Sequence, residues 1–315
     1  MSNIFQIIQY MPLTRPKATR RFLNRLNSKN IHAILDLEDS AQDPFDLEIT
    51  KTLKQEARDG LLNISESFDQ TFRSKLYIRI NAMNSDYFND DIHCVIQSIK
   101  RGMPIGGIFL PKTEDYLGIQ EIYQILKNEK INLDIVPMIE TSQGYENLSS
   151  ILSKDTDSNL VSKVHYGHFD YCLDSNLWPF PDPYHHDYWR IIKPILQLLA
   201  EHKKVYIHTP FPFLNDEQLF WSSQSHIRKL MPKLEFWACT LNLKISVSDS
   251  PTEVEDLNLH EITNNQDDLI TEAELIINDY YQGRANKRSF GVSSKRYIPR
   301  HQVLAAEEYL SRVRR

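Results

Sequence analysis

Charged residues sit at the ends of several short apolar runs in this chain. Asp36-Leu37-Glu38-Asp39 closes the run HAILDL at 32–37. Arg79 and Asn81 lie in and just after KLYIRI at 75–80. Glu140 follows LDIVPMI at 133–139, and Asp170 follows residues 161–166 through Gly167. A carboxylate in such a place often caps the next helix, and an arginine there often pairs with a nearby acid, so each residue alone has a structural explanation. As a set they say more. Three acids interrupted by a single leucine repel one another unless a cation or Arg79 lies among them.

The elements that must position these residues alternate regularly. Strands are expected at 4–10, 32–37, 75–80, 107–110, 133–139, 161–166, 205–208 and within 236–247. Helical patterns follow at 16–26, 47–62, 91–100, 117–127, 145–152, 187–202 and 216–230. Strand and helix in alternation argue for parallel βα units, and eight of them for an α/β fold closed as a (β/α)₈ TIM barrel, in which polar groups at strand ends face the mouth. An open doubly wound sheet is the alternative, but the first turn, MPLTR at 11–15, lacks the glycines of a dinucleotide-binding turn. Residues 248–267 are polar and acidic and read as a linker. Two helices, 269–281 and 299–313, follow it, so the barrel is assigned to 1–247 and the C-terminal helical extension to 248–315. Leu269, Leu275, Ile276, Leu304 and Leu310 give these helices apolar faces that must be buried on their own barrel or on a neighbouring subunit.

The composition is that of a globular protein, 41% hydrophobic and 25% charged, with a net charge of -6 that gives no reason to expect a nucleic-acid partner. No apolar run approaches the ~20 residues of a membrane span, and the N-terminus has no basic region of the signal-peptide type. Cys94, Cys172 and Cys239 are odd in number and widely spaced, which suits a reducing cytoplasm and forms no cysteine-based zinc site.

The blocks IIQYMPLTRPKATRR, AILDLEDSAQDP, YIRINAMNSD, GIFLPKTE, IVPMIETSQG and YGHFD stand in the order and rough spacing of the HpcH/HpaI aldolase and citrate lyase β-subunit family. Over about residues 5–175 the chain resembles that family of metal-dependent barrels, which includes malyl- and citramalyl-CoA lyases and thioesterases. The resemblance implies that Glu140 and Asp170 ligate the metal and that Arg79 grips the substrate carboxylate. It also implies that Asp36, Glu38 and Asp39 form the acidic cluster beside the metal, where waters and a proton shuttle are held. Lys112 falls on a family position with a structural or electrostatic role toward substrate. Mg²⁺, with Mn²⁺ as the alternative ion, suits one or two hard carboxylate ligands, leaving positions for a 2-oxo acid. Arg79 can hold a carboxylate through two parallel hydrogen bonds, which a lysine cannot.

There are departures. The second metal motif reads Gly167-His168-Phe169-Asp170, and its expected closing glycine is absent from Leu173-Asp174-Ser175-Asn176. The long aromatic loop LWPFPDPYHHDYW at 177–189 follows it and is expected to cover the barrel mouth. His185 and His186 within it are candidate extra metal ligands or lid residues. An Ile-His-Pro block is expected after the eighth strand and is not recognisable there. PRHQVLAAEEYL resembles the family's closing helix, which in that family can reach a neighbouring subunit's site. Arg15 and Lys17 near the first helix start suit a CoA phosphate or a solvated helix face.

These readings lead to a magnesium-dependent carbon–carbon lyase or aldolase acting on a 2-oxo or hydroxy acid, or on its CoA thioester. A cytoplasmic homo-oligomer, trimer or hexamer, is expected. The alternatives are an acyl-CoA thioesterase of the same family and a catalytically degenerate barrel that binds a carboxylate or a partner protein.

Overall fold

The computed structural model describes residues 6–43, 46–66, 68, 72, 75–155, 159–241, 245, 251, 253–263, 265–285, 290–293 and 296–315. Residues 4 and 5 of the first expected strand, residues 242–244, 246 and 247 of the eighth, and residues 248–250, 252 and 264 of the expected linker lie outside them.

Eight parallel strands close into a barrel in sequence order. They are β1 (Gln6–Pro12), β2 (His32–Asp36), β3 (Leu76–Arg79), β4 (Ile105–Leu110), β5 (Asp134–Ile139), β6 (Lys163–Tyr166), β7 (Val205–Phe211) and β8 (Phe236–Thr240). Closure is made by β1 against β8, with Gln6 opposite Trp237 and Ile8 opposite Cys239. The surrounding helices are α1 (Pro16–Ser28), α2 (Leu47–Ser65), α3 (Phe88–Lys100), α4 (Tyr116–Asn128), α5 (Ser142–Lys154), α7 (His186–Glu201) and α8 (Glu217–Leu230). A short α6 (His168–Asp174), which the sequence pattern did not announce, opens directly after β6. Asp170 therefore stands in the first turn of a helix rather than in a loop.

Strand alternation divides the core in two. Ile8, Ile34, Tyr77, Phe109, Val136, Met138, Ile207, Trp237 and Cys239 pack inside the barrel. Their sequence neighbours Ile7, Leu35, Ile78, Ile108, Ile135 and Ile139 point outward and pack under the helices. Each such side chain, fully buried, contributes roughly 1.5–3 kcal/mol. Side chains start the helices where the strands end. Asp46, Asp115, Thr141 and Asp216 each accept a hydrogen bond from a first-turn N–H of α2, α4, α5 and α8.

The C-terminal region packs on its own barrel. It comprises α9 (Gln266–Ala285), the antiparallel hairpin β9 (Gly291–Ser293) and β10 (Arg296–Ile298), and α10 (Arg300–Val313). Ala273, Ile276, Tyr280, Ile298, Val303, Ala306 and Leu310 form its small core. Of the apolar faces expected from sequence, Ile276 and Leu310 are buried, whereas Leu275 and Leu304 are exposed. The expected linker is not free: His260 exchanges backbone hydrogen bonds with Tyr184 and His186.

Candidate metal and substrate site

The site is the top layer of the barrel interior. Asp36 lies two residues beyond inward Ile34, Arg79 two beyond Tyr77, and Glu140 two beyond Met138. The two-residue period carries the same inward row from apolar packing to charge at the mouth. There these residues line one cavity of about 590 Å³ together with Tyr10, Asp39, His165, Gly167, Asp170 and Thr209. Tyr280, Phe290, Tyr297 and the start of α10, Pro299 to His301, form its C-terminal wall.

Arg79 and Asp36 are register partners on β3 and β2. Arg79 Nε and Nη2 donate to the two Asp36 carboxylate oxygens, both at 2.7 Å. Nη1 lies 2.9 Å from both Glu38 Oε2 and Asp39 Oδ2, and the guanidinium sits over the Tyr10 ring at 4.6 Å. The guanidinium is thus ringed by acids and still lines the cavity. Backbone N–H groups of Glu38 and Ser40 donate to Asp36 and fix its carboxylate. Asn81 turns away: it binds Leu37 O, Asp91 and the buried Lys54 ammonium, and belongs to the scaffold.

Glu140 is held where β5 meets α5. Its Oε1 accepts from the Lys112 backbone N–H at 2.9 Å, and Lys112 adopts φ 50° to present that N–H. Such a left-handed non-glycine conformation costs about 1–3 kcal/mol and persists where the surroundings impose it. A Cβ on Gly167 would stand 2.7 Å from Glu140 Cβ, an atom that cannot swing away, so only glycine permits this approach. Asp170 Oδ1 faces Lys112 Nζ at 3.7 Å, and its Oδ2 faces His301 Nε2 at 3.2 Å. One donor atom each from Asp39, Asp170 and His301 lie within 4.8 Å of one another.

Asp36, Glu38, Asp39, Glu140 and Asp170 crowd this buried mouth, and the titration of several of them shows it. Burial, then the Asp170 charge, pushes the Glu140 carboxyl well above the usual carboxylate range. Burial, then Asp39, does the same to Glu38. Burial also acts to raise Asp39, but Arg79 and next His301 outweigh it and hold that carboxyl low. For Asp170 the opposing charge is that of His301. Lys112 stays charged, because Asp170, Glu38 and Glu140 overcome its desolvation. A crowd of hard oxygen donors, two of them disfavoured as anions without a further cation, fits a divalent ion.

The structure brings Asp36, Asp39, Arg79, Glu140 and Asp170 onto the one cavity, with Glu38 against Arg79 and Lys112 behind Glu140 and Asp170. Arg15 is exposed at the rim and lines the cavity; Lys17 is exposed and does not. The loop 177–189 does not form the expected lid, since none of its residues lines the cavity. It buttresses the C-terminal wall instead. Asp182 pairs with Arg296 at 3.0 Å, Trp178 stacks on Tyr309, and Phe180 packs with Cys172 and Ala305. His185 Nδ1 accepts from the Asp182 N–H within this same loop. His301, Tyr297 and Thr209 were missed. Thr209 belongs to Ile207-His208-Thr209-Pro210, an interrupted Ile-His-Pro run on β7, one strand earlier than sought.

The model of the HpcH/HpaI aldolase/citrate lyase family matches residues 26–228. No curated protein matches the sequence. Haloferax volcanii malate synthase, solved as a pyruvate/acetyl-CoA ternary complex, is similar with a TM-score of 0.74 and 13% identity, over 99% of this chain and 92% of its own. RipC from Yersinia pestis gives a TM-score of 0.53 and 19% identity, over 77% of this chain and 92% of its own. The citrate lyase beta subunit from M. tuberculosis, complexed with oxaloacetate and magnesium, gives 0.53 and 16% identity, over 75% of this chain and 91% of its own. At such identities the likeness concerns the fold.

Proposed function

The chain belongs to the HpcH/HpaI aldolase/citrate lyase family, and from that premise we propose that it is a divalent-metal-dependent carbon–carbon lyase or aldolase acting on a 2-oxo or hydroxy acid or its CoA thioester. The observation that carries this reading is the meeting of Asp36, Asp39, Arg79, Glu140 and Asp170 on one cavity at the carboxyl ends of the strands. Glu140 and Asp170 would hold the ion, Mg²⁺ or Mn²⁺. When bound, the ion supplies Lewis acidity toward negative charge developing on a 2-oxo oxygen.

The chain's own residues do the rest. Asp36 locks the guanidinium plane of Arg79 with two parallel hydrogen bonds, and Glu38 and Asp39 share Nη1, so a substrate carboxylate reaches Arg79 by displacing Asp39 from that nitrogen. The acidic cluster of Asp36, Glu38 and Asp39, of which Asp36 and Asp39 line the cavity, takes up the hydroxyl proton as the carbon–carbon bond breaks and returns it to the carbon freed. Tyr297, Phe290 and Tyr280 wall the cavity from water. Lys112 braces both acids that hold the ion. Arg15 at the rim, with Lys17 just outside it, would meet the phosphates of a CoA thioester.

A second reading has one observation in its favour. The likeness to malate synthase extends over 99% of the chain, C-terminal elements included, against 75% for the citrate lyase subunit. The same chemistry run in the condensing direction, with an acyl-CoA donor, fits that extent. Among the described residues no helix is long and apolar enough to cross a membrane. Exposed Leu275 and Leu304 suit a homo-oligomer, which light scattering would measure.

The test is deuterium exchange at the methyl group of pyruvate, followed by nuclear magnetic resonance. Exchange should require Mg²⁺ or Mn²⁺ and stop with chelator. A protein that binds the ion and pyruvate without any exchange would be a carboxylate binder, and the enzyme reading would fall.

A further inference from the structure

His301 is the first-turn histidine of α10, far from the barrel motifs in sequence, yet it faces the acidic mouth. It is 5% exposed. Its Nε2 lies 3.2 Å from Asp170 Oδ2, and neither ring nitrogen has a hydrogen-bond partner of good geometry. Without a metal the ring serves as the charge partner of Asp170, and an ion bound between the two would take the place of its proton. Its donor atom shares a 4.8 Å neighbourhood with donors of Asp39 and Asp170. On an octahedral ion with bonds of ~2.1 Å, donor atoms lie about 3–4.2 Å apart, so small side-chain shifts suffice.

We propose that His301 is a nitrogen ligand to the cation, supplied by the C-terminal wall and acting with Asp170 and Asp39. This rests on the metal-site reading above and extends it. The consequence for the ion is chemical. Mg²⁺ prefers oxygen donors and keeps its waters, whereas imidazole favours Mn²⁺ and later first-row divalent ions. The site therefore selects Mn²⁺ over Mg²⁺. The consequence for the fold is mechanical. The ion bridges α6 of the barrel to α10, so loading the metal and seating the C-terminal wall become one event. The buttress formed by Asp182–Arg296 and Trp178–Tyr309 sets α10 at the height this requires.

The experiment uses the full chain and two probes, Mn²⁺ and Mg²⁺. Titration calorimetry on the wild type should give tighter binding of Mn²⁺. In His301→Gln, Mn²⁺ affinity should fall by at least about tenfold, the floor seen when even an outer partner of a metal ligand is lost. Mg²⁺ affinity should fall less, so the preference collapses. Pulsed electron paramagnetic resonance of the Mn²⁺-loaded wild type should show coupling to one directly bound ¹⁴N, lost in His301→Gln. That wild-type spectrum decides the matter even if the variant folds poorly. A spectrum with oxygen donors alone, or a nitrogen coupling that survives in His301→Gln, overturns the proposal. If Mn²⁺ binding is unchanged by His301→Gln but lost in Glu140→Gln, His301 is excluded while the metal-site reading stands. If the wild type binds neither ion, both fall.

Discussion

The two ends of the barrel use the same residue types in different arrangements. At the amino end of the strands, Lys163 meets Asp134 at 2.6 Å, and its ammonium lies 5.3 Å from the Trp237 ring centre. Beside it, Asp155 is fully buried and accepts from Lys204 Nζ and from the backbone N–H groups of Leu160 and Val161. Lys163 and Lys204 there each have a carboxylate partner. At the carboxyl end Asp36, Glu38, Asp39, Glu140 and Asp170 face Arg79 and Lys112, with Arg300 and His301 reaching in from α10. A matched pair closes a fold. Carboxyls crowded until two of them are held above the usual range leave free energy for a ligand to recover, and that crowding marks the working end.

Removing Asp155 should break the balanced end most severely. Asp155→Ala leaves the Lys204 ammonium buried without its carboxylate, a loss of about 3–5 kcal/mol. Denaturant unfolding should show it, while the turnover of protein that remains folded should be unchanged. Glu140→Gln should do the reverse. Metal-dependent turnover should fall by at least about a hundredfold, with melting temperature held or raised, because a neutral amide replaces a carboxyl that burial and Asp170 already disfavour as an anion. A melting temperature that drops sharply would make Glu140 a scaffold residue.

Arg79→Lys lies between these cases, because Arg79 belongs to both accounts. The planar fork toward Asp36 is lost and the charge is kept. kcat/KM should fall by the equivalent of about 1.5–3 kcal/mol, the worth of a charge-assisted hydrogen bond. Normal turnover in that variant would remove the carboxylate-binding role. Part of the loss should also appear in stability, since Asp36, Glu38 and Asp39 all lean on this guanidinium.

The smallest effect is one of pH. Burial lowers His165 and His208 from the ordinary 6.5 to about 3, so both are neutral in the fold. Their unfolded counterparts take up protons below pH ~6.5. Stability from keeping them neutral is complete above that pH and is lost as pH falls toward 3. Between pH 7 and pH 6 each should cost roughly 0.5–1 kcal/mol. A His208→Asn protein should melt with a visibly flatter pH dependence; an unchanged slope would place the acid sensitivity elsewhere.

Sequence revealed the barrel because each strand is a local event. Alternation of Ile34 and Asp36, or of Tyr77 and Arg79, states which residues share a face, and the motif blocks lie within single βα turns. It was less informative where contacts join distant segments. Nothing near Asp170 announces His301, and nothing near Asp182 announces Arg296. The loop 177–189 looked like a lid because its aromatics follow a motif strand, yet Phe180 and Trp178 pack on Ala305 and Tyr309 of a helix much later in the chain. Local pattern predicts which groups need burial, not which surface will cover them. The ring of acids around Arg79 was legible as a possibility, since the three acids had either a cation or Arg79 to relieve them; the structure gives them Arg79 and still opens Asp36 and Asp39 to the cavity.

The register of β2 on β3 sets Asp36 opposite Arg79. A slip of one residue would rotate Arg79 to the helix layer and carry Ile78 or Ile80 into the acidic mouth. Assembly of the barrel is therefore proofread by charge: a misaligned strand would strand several acids without their counterion. A chain that has folded in the wrong register should be blind to added metal, so the rise in melting temperature on loading the ion doubles as an assay for correct assembly.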